Sequence, residues 1–249
     1  MGRLAKQVAI IVGASSGMGR ASALAFAAEG AQVVASARRQ AELDAVVAEI
    51  TRAGGVAVGR SADVSRRADV DALVRAAVER FGRVDVLVNC AGINVPNRQM
   101  TALDQAGWDR IIAINLTGAF HCTQAVLPTM RGQQGGLIIH IGSISGLWGD
   151  FSGAAYQASK HGLMGIANAT RMEERQHGIR VTVIYPGVCD TPILKNRPVP
   201  PTPEQRALMM QPEEIAEACL FAASLPPRTY VSDLSLMPTA LQCNGNVVG

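Results

Sequence analysis

The sequence predicts one doubly wound α/β domain: a mostly parallel, seven-stranded sheet with helices on both faces. Two observations lead there. Short β-branched apolar runs alternate with alanine-rich helical patterns over nearly the whole chain, which is the period of repeated βαβ units. At 249 residues the chain is also long enough for one large core and short for two independent domains.

The first run, Val8–Val12, stops at Gly13, and Gly13, Gly17 and Gly19 lead into a helical pattern through Ala28. A glycine just past a strand admits a turn that a Cβ opposes. Small residues further on let the backbone approach a ligand and let the helix lie close to the sheet. The first helical turn offers unpaired N–H groups and the positive end of its dipole, so this segment is expected to seat a dinucleotide pyrophosphate. Its GxxxGxG spacing lacks the Gly-Lys-Ser/Thr of a P-loop, which disfavours ATP or GTP hydrolysis.

Gln32–Ala37 reads as the second strand, closing on Arg38-Arg39 before a helix from Gln40 to Ala53. After Gly54-Gly55 come a short strand, Val56–Gly59, the turn Asp63-Val64-Ser65 and a helix, Ala68–Phe81. The fourth strand, Val84–Asn89, is apolar enough to be covered on both faces, and Asn89-Cys90-Ala91-Gly92 turns away from its carboxyl end. An irregular stretch, Val95–Gln99, precedes one helix beginning near Leu103 and a second from Asn115 to Arg131, which Pro128 is expected to bend or shorten. Leu137–Ile141 is the fifth strand and Gly142–Ser152 a glycine- and serine-rich loop. Tyr156–His177 is a helix stopped at Gly178, and Arg180–Tyr185 is the sixth strand before Pro186-Gly187. Prolines at 192, 198, 200, 201, 203 and 212 keep Thr191–Pro212 from being a strand or one clean helix. Residues 191–212 are expected to form a flap over a cleft, within a single domain covering 1–249. The helix Pro212–Ser224 opens with proline and two glutamates, both favourable in a first turn, and a last strand includes Leu234–Met237.

A formal charge of +3, without a basic stripe and interleaved aromatics, argues against nucleic acid. The five cysteines (90, 122, 189, 219 and 243) never pair as CxxC and fit reduced thiols, while His121, His140, His161 and His177 lack metal-ligand spacing, so no metal is expected. No apolar run reaches the length of a bilayer span, and the amino terminus runs straight into the first strand. A cytoplasmic protein without a membrane partner is expected.

Tyr156 and Lys160 lie four apart at the start of a helix and therefore on one face. A lysine beside a phenol favours the phenolate, and poising that phenol near neutrality takes about 4 kcal/mol. Asn115, Ser143, the glycine turn and Pro186-Gly187 all fall at strand ends or helix starts, the edge where open α/β sheets bind ligands.

Taken together these segments resemble the short-chain dehydrogenase/reductase superfamily (SDR), of the smaller, Rossmann-like one-domain type, from Lys6 to about Met237. They are VGASSGMG at 12–19, DV at 63–64, NCAG at 89–92, NLTG at 115–118, GSISG at 142–146, YQASK at 156–160 and PGVCDTP at 186–192. The resemblance implies an oxidoreductase that interconverts a carbonyl compound and its alcohol. Tyr156 would be the general acid/base and Ser143 would stabilise the substrate oxygen. Lys160 would bind the nicotinamide ribose and favour the tyrosinate, and Asn115 would support the proton relay. It also implies Gly13, Ser15, Gly17, Met18 and Gly19 at the pyrophosphate, and Asp63 and Val64 at the adenine edge. Asn89, Ala91 and Gly92 would lie beside the ribose, with Pro186, Gly187, Val188 and Thr191 on the nicotinamide side. Val12, where many relatives have Thr, and Cys90, in place of the second Asn of NNAG, depart from the pattern without removing a catalytic group.

NAD enzymes commonly place a carboxylate after the second strand, whereas here Ala37 is followed by Arg38 and Arg39. Arg38 suits a 2′-phosphate, with Ser36, Arg39 and Ser16 as helpers. NADP(H) is therefore the expected cofactor and NAD(H) the alternative. The substrate is expected to touch Ser143, Ser145, Tyr156 and Val188. Asn94, Val95, Pro96, Leu147, Trp148, Phe151, Cys189 and Leu194 suggest an uncharged, mainly apolar ketone, aldehyde or secondary alcohol, while Lys195 and Arg197 leave room for a carboxylate. Small residues along the Tyr156 helix fit the homodimers or homotetramers common in this family. A catalytically silent, dinucleotide-responsive interaction protein is the alternative from another class.

Overall fold

The computed structural model describes residues 2–241. Cys243 lies outside the described residues.

Seven strands form one sheet in the order β3-β2-β1-β4-β5-β6-β7, every neighbouring pair parallel. They are β1 Val8–Val12, β2 Gln32–Ala37, β3 Val56–Ser61, β4 Val86–Asn89, β5 Gly136–Ile141, β6 Ile179–Pro186 and β7 Asp233–Leu236. Between them run α1 Gly17–Ala28, α2 Gln40–Arg52, α3 Arg67–Phe81, α4 Gln105–Ile112, α5 Gly118–Gln133, α6 Ala154–Glu174, α7 Pro203–Ala207 and α8 Pro212–Ser224. The period of two along β1 divides the core. Ala9 and Ile11 pack with Phe26 of α1, Leu43 of α2 and Leu220 of α8, whereas Ile10 and Val12 pack with Leu73 of α3 and Val126 of α5. Strand order reverses between β1 and β4, and the crevice outside the carboxyl ends at that switch point is where such sheets take ligands.

The strands and α8 fall where the sequence pattern puts them, to within two residues. The expected break near Asn115 is a different device. A π turn, Ala113–Thr117, joins α4 to α5 without interrupting the helix, which runs from Gln105 through Pro128 to Gln133. Its 29 residues, with a window of mean hydropathy 1.2, meet the length and composition of a membrane span, which the segment-by-segment reading did not expect. It is nevertheless a core helix, with Ile114, Ala119, Cys122, Val126 and Met130 buried against the sheet. Residues 191–212 contain a 3-10 turn, Pro192–Asn196, and α7, which opens with a Thr202/Gln205 capping box. The segment returns to the sheet through a bridge between Cys189 and Met210, beside an Asp190–Arg206 ion pair at 2.6 Å.

Candidate active site

Two cavities, of about 400 and 390 Å³, open at the carboxyl ends of the strands and meet at Met18, Gly142, Tyr156, Thr191 and Ile193. The first lies over the β1 turn. Gly13 has φ +80, and a Cβ there would press on the backbone of Cys90 at 3.0 Å. A Cβ on Gly19 would stand 2.3 Å from the Gly13 carbonyl oxygen. The turn thus closes only with glycines, and it leaves the amino end of α1 uncapped by any side chain at Ser16. Ser15, Ser16, Gly17, Met18, Arg38, Arg39, Asp63, Val64, Ala91, Gly92 and Lys160 line the same cavity. These residues fit an elongated ligand with a phosphate over the glycine turn.

The two arginines after β2 differ. Arg39 is paired with Glu42 at 2.9 Å and donates to Ser15 Oγ at 3.1 Å. The Arg38 guanidinium has no ion-pair partner among the described residues and is exposed at the cavity edge. Burial pushes the Asp63 carboxyl up, but the Ser65 hydroxyl and amide, with Arg38 and Arg66, hold it below the usual range. Ser36 is fully buried and does not reach the cavity as the sequence reading expected, because its β2 position faces the core.

Ser143 follows β5, and Tyr156 and Lys160 stand on successive turns of α6. The 3-10 turn after Ser143 lies so close to α6 that a Cβ at Gly146 would sit 2.7 Å from the Lys160 carbonyl oxygen. Ser143 Oγ donates to Ser145 Oγ at 3.1 Å, and Ser145 in turn donates to the Asp150 carboxylate. Burial pushes the Tyr156 phenol up to about 12, opposed by the Ser143 hydroxyl beside it and supported by the negative charge of Asp150. Lys160 is 4% exposed, and its Nζ donates to the Ile141 carbonyl at 2.8 Å and stands 5.6 Å from the centre of the Tyr156 ring. In the chain without cofactor, burial of the phenol outweighs the groups that favour its phenolate, and burial likewise pushes the Lys160 ammonium down to about 8.

Asn115 and Asn89 lie behind the cavity walls. Asn115 Oδ1 accepts from Ile93 N at 2.8 Å, and its Nδ2 donates to the Ile93 carbonyl and to Ser159 Oγ at 3.0 and 3.1 Å. Ser159 Oγ donates to the Tyr156 carbonyl at 2.7 Å. The π turn thus clamps the loop after β4 to α6. Asn89 takes the Ala91 amide on Oδ1 and faces His140, which burial pushes down to about 3.

The second cavity is lined by Ser143, Ser145, Pro186, Gly187, Val188 and, among the other expected substrate neighbours, Asn94, Phe151, Cys189 and Leu194. Val95, Pro96, Leu147 and Trp148 do not line it. Sequence reasoning missed Arg98, Asp150 and Ser159. The motif Asp150-Phe151-Ser152 carried a signal, since Asp followed two residues later by Ser reads as an Asx turn. Arg98 carried none beyond its place in an irregular loop.

A dinucleotide-sized cleft at the switch point, ending at a Ser-Tyr-Lys cluster, defines an oxidoreductase of the doubly wound class. The family model described as short chain dehydrogenase matches residues 7–200, and the chain belongs to that family. It is an oxidoreductase of carbonyl and alcohol groups. It is 38% identical over 235 residues to a 3-oxoacyl-[acyl-carrier-protein] reductase of Synechocystis sp., covering 93% of this chain and 95% of that one. Among solved structures it resembles a metagenomic short-chain oxidoreductase in complex with NADP, with TM-score 0.83, 33% identity and coverage of 95% and 99%. It also resembles levodione reductase, with TM-score 0.86, 31% identity and coverage of 94% and 96%.

Proposed function

We propose that the protein reduces a ketone or aldehyde to its alcohol, and reverses that reaction, with NADP(H) as cofactor and Tyr156 as the group that moves the proton. The observation that carries this reading is that one phenol borders both cavities. Gly13, Ser15, Ser16, Gly17, Met18 and Gly19 would hold the pyrophosphate, Asp63 and Val64 the adenine, and Ala91, Gly92, Tyr156 and Lys160 the nicotinamide ribose. Pro186, Gly187, Val188 and Thr191 would line the nicotinamide side, with Asn89 supporting the wall. Arg38 would take the 2′-phosphate, because it is the arginine left unpaired beside the cavity, while Arg39 steadies Ser15. When bound, the nicotinamide supplies or accepts the hydride.

The rest is done by the chain. Tyr156 keeps its proton at neutral pH, so it is set to donate to a carbonyl oxygen as charge develops there. Ser143 would turn its hydroxyl proton from Ser145 Oγ to the same oxygen, while its Oγ stays held by the Ser145 amide at 3.2 Å. The Lys160 ammonium beneath the ring stabilises the phenolate as it forms. Asn115 is a positioning residue that supports the relay by holding the β4 loop and α6 in register. Residues 191–212 would serve as a flap, a reading supported by Thr191–Leu194 and Asn196–Val199, which line the joined cavities.

The test follows NADPH absorbance over a panel of ketones and aldehydes, and the reverse reaction over alcohols. Tyr156→Phe should retain cofactor affinity and lose roughly 10²- to 10⁴-fold in kcat, the usual worth of general acid–base catalysis. Equal, negligible turnover by both proteins across the panel would leave the silent, nucleotide-responsive reading in its place.

We also propose a cytoplasmic homo-oligomer, dimer or tetramer, formed through α6. Its exposed positions His161, Gly165, Asn168, Ala169 and Met172 share one face, and space above Gly165 is open. Light scattering at micromolar concentration tests this, and a monomer would reject it.

A further inference from the structure

The second cavity holds two cations, Arg98 and Arg197, whose charge favours the Tyr156 phenolate but which the proton transfer does not itself engage. Arg98, in the loop after β4, is only 8% exposed and lines this cavity. Its Nη2 donates to the Asn196 carbonyl, yet its Nε is buried with no hydrogen-bond partner, and no carboxylate lies within ion-pairing distance among the described residues. Arg197 lines the same cavity and has no side-chain hydrogen bond or ion pair among the described residues. Arginine is rarely buried without a partner, since an uncompensated guanidinium loses its hydration and gains nothing in return.

The surroundings hold this arrangement in place. Asn196 Nδ2 donates to the Asn94 carbonyl at 3.1 Å and Asn94 Nδ2 to the Ser152 carbonyl at 2.9 Å, so three loops are tied together around Arg98. Gly153, at φ +91, lets the chain pass against Arg98, where a Cβ would stand 2.4 Å from its carbonyl oxygen. Asp150 is the one acid among the described residues lining the cavity, and its oxygens are already taken by the Ser145 and Ser152 hydroxyls and the Ser152 amide. Among the described residues, two cations against one engaged anion leave a net positive charge facing the space beside Tyr156.

We propose that Arg98 and Arg197 form a carboxylate-binding site, and that the substrate is an oxo acid, or the matching hydroxy acid, whose carbonyl lies a short aliphatic spacer away from its carboxylate. This rests on the oxidoreductase reading above. The forked guanidinium matches a carboxylate, and Val188, Ile193 and Leu194 supply apolar wall for the spacer. The site also refines the uncharged, mainly apolar substrate expected from the sequence, because the decisive groups are cations from two loops far apart in the chain.

The experiment measures kcat/KM with NADPH for straight-chain oxo acids of graded spacer length and for their methyl esters, which keep the carbon skeleton and remove the charge. The wild type should favour the best acid over its ester by roughly tenfold or more, as for a charge-assisted hydrogen bond. That ratio should fall toward one in Arg98→Gln and in Arg197→Gln. The second change is in a less buried residue and covers the case in which the first fails to fold, with NADPH binding as the check on folding. Esters turned over as well as acids by the wild type, or an acid preference undiminished in folded variants, would overturn the proposal and leave the oxidoreductase reading standing. If neutral ketones are reduced but no acid is, the proposal also fails. If nothing in either panel is turned over, both fail.

Discussion

Lys160 should destabilise the cofactor-free protein in a pH-dependent way. It is 4% exposed, it has one carbonyl partner, and burial moves its pKa from 10.5 to about 8. Between pH 8 and about 10.4 the unfolded chain holds a proton on this lysine that the folded chain has released, so this residue makes stability rise with pH across that window. Below pH 8 both states are protonated and the fold carries the whole cost. A displacement of roughly two to three pK units at about 1.4 kcal/mol each gives about 3 kcal/mol.

Lys160→Met removes the titration and also the hydrogen bond to Ile141, worth about 1 kcal/mol at any pH. Urea unfolding of both proteins from pH 7.5 to 10.5 should show the wild type gaining about 3 kcal/mol relative to the variant. Tyr156, Tyr185, Cys122, Cys189 and Cys219, each pushed up to about 12, act in the opposite sense at alkaline pH, since the unfolded chain then gives up protons that the fold retains. Those away from Lys160 drop out of the difference, and Tyr156, which faces it, keeps its proton in both folded proteins up to pH 10.5 because removing the ammonium does not lower its pKa. A difference that stays flat with pH would show that the ammonium is not desolvated beneath the Tyr156 ring, and the electrostatic role given to it would go with that result.

Arg38→Ala should weaken NADPH by roughly ten- to hundredfold, the worth of a charge-assisted contact of about 1.5–3 kcal/mol, and should weaken NADH by much less. Fluorescence titration with both cofactors reads this, and equal losses would remove Arg38 as the selector. Gly19→Ala drives a methyl group against the Gly13 carbonyl, so it should cost about 1–3 kcal/mol in urea unfolding together with most of the dinucleotide affinity. An unchanged Kd would mean that the glycine turn does not shape the site.

The sheet was legible because its central strands are continuous apolar runs closed by glycine, proline or polar turns, whereas the edge strands β3 (VAVGRS) and β7 (DLSL) are short, half-exposed and polar in part. The grouping of the candidate site residues was legible for a related reason. Ser143, Tyr156 and Lys160 sit next to strand ends or on one helix face, so local spacing alone brings them near each other. What local spacing does not carry is contact between distant loops. Arg98 meets Asn196 across 98 positions, and Asn94 meets Ser152 across 58. The continuity of the helix through Asn115 was hidden as well. A π turn inserts one residue per turn without any glycine or proline to announce it, so the apolar period slips and reads as a break.

This division has a consequence for how specificity is built. The proposed proton machinery hangs on backbone register: β5 sets Ser143, α6 sets Tyr156 and Lys160, and Asn115 and Ser159 lock α6 to the β4 loop. The cations of the second cavity hang instead on side-chain ties among loops 94–98, 150–153 and 196–197, none of which belongs to a strand. Substitutions in those ties can redirect or remove the charge facing the substrate while the strand ends hold the reacting groups where they are. If the proposed carboxylate site holds, the same fold can exchange an acid substrate for a neutral one by altering loops alone, and Asp150 is the point where the two systems touch. Through Ser145 it orients Ser143, and its charge opposes those of Arg98 and Arg197 at the phenol. Any change there should move catalysis and substrate preference together.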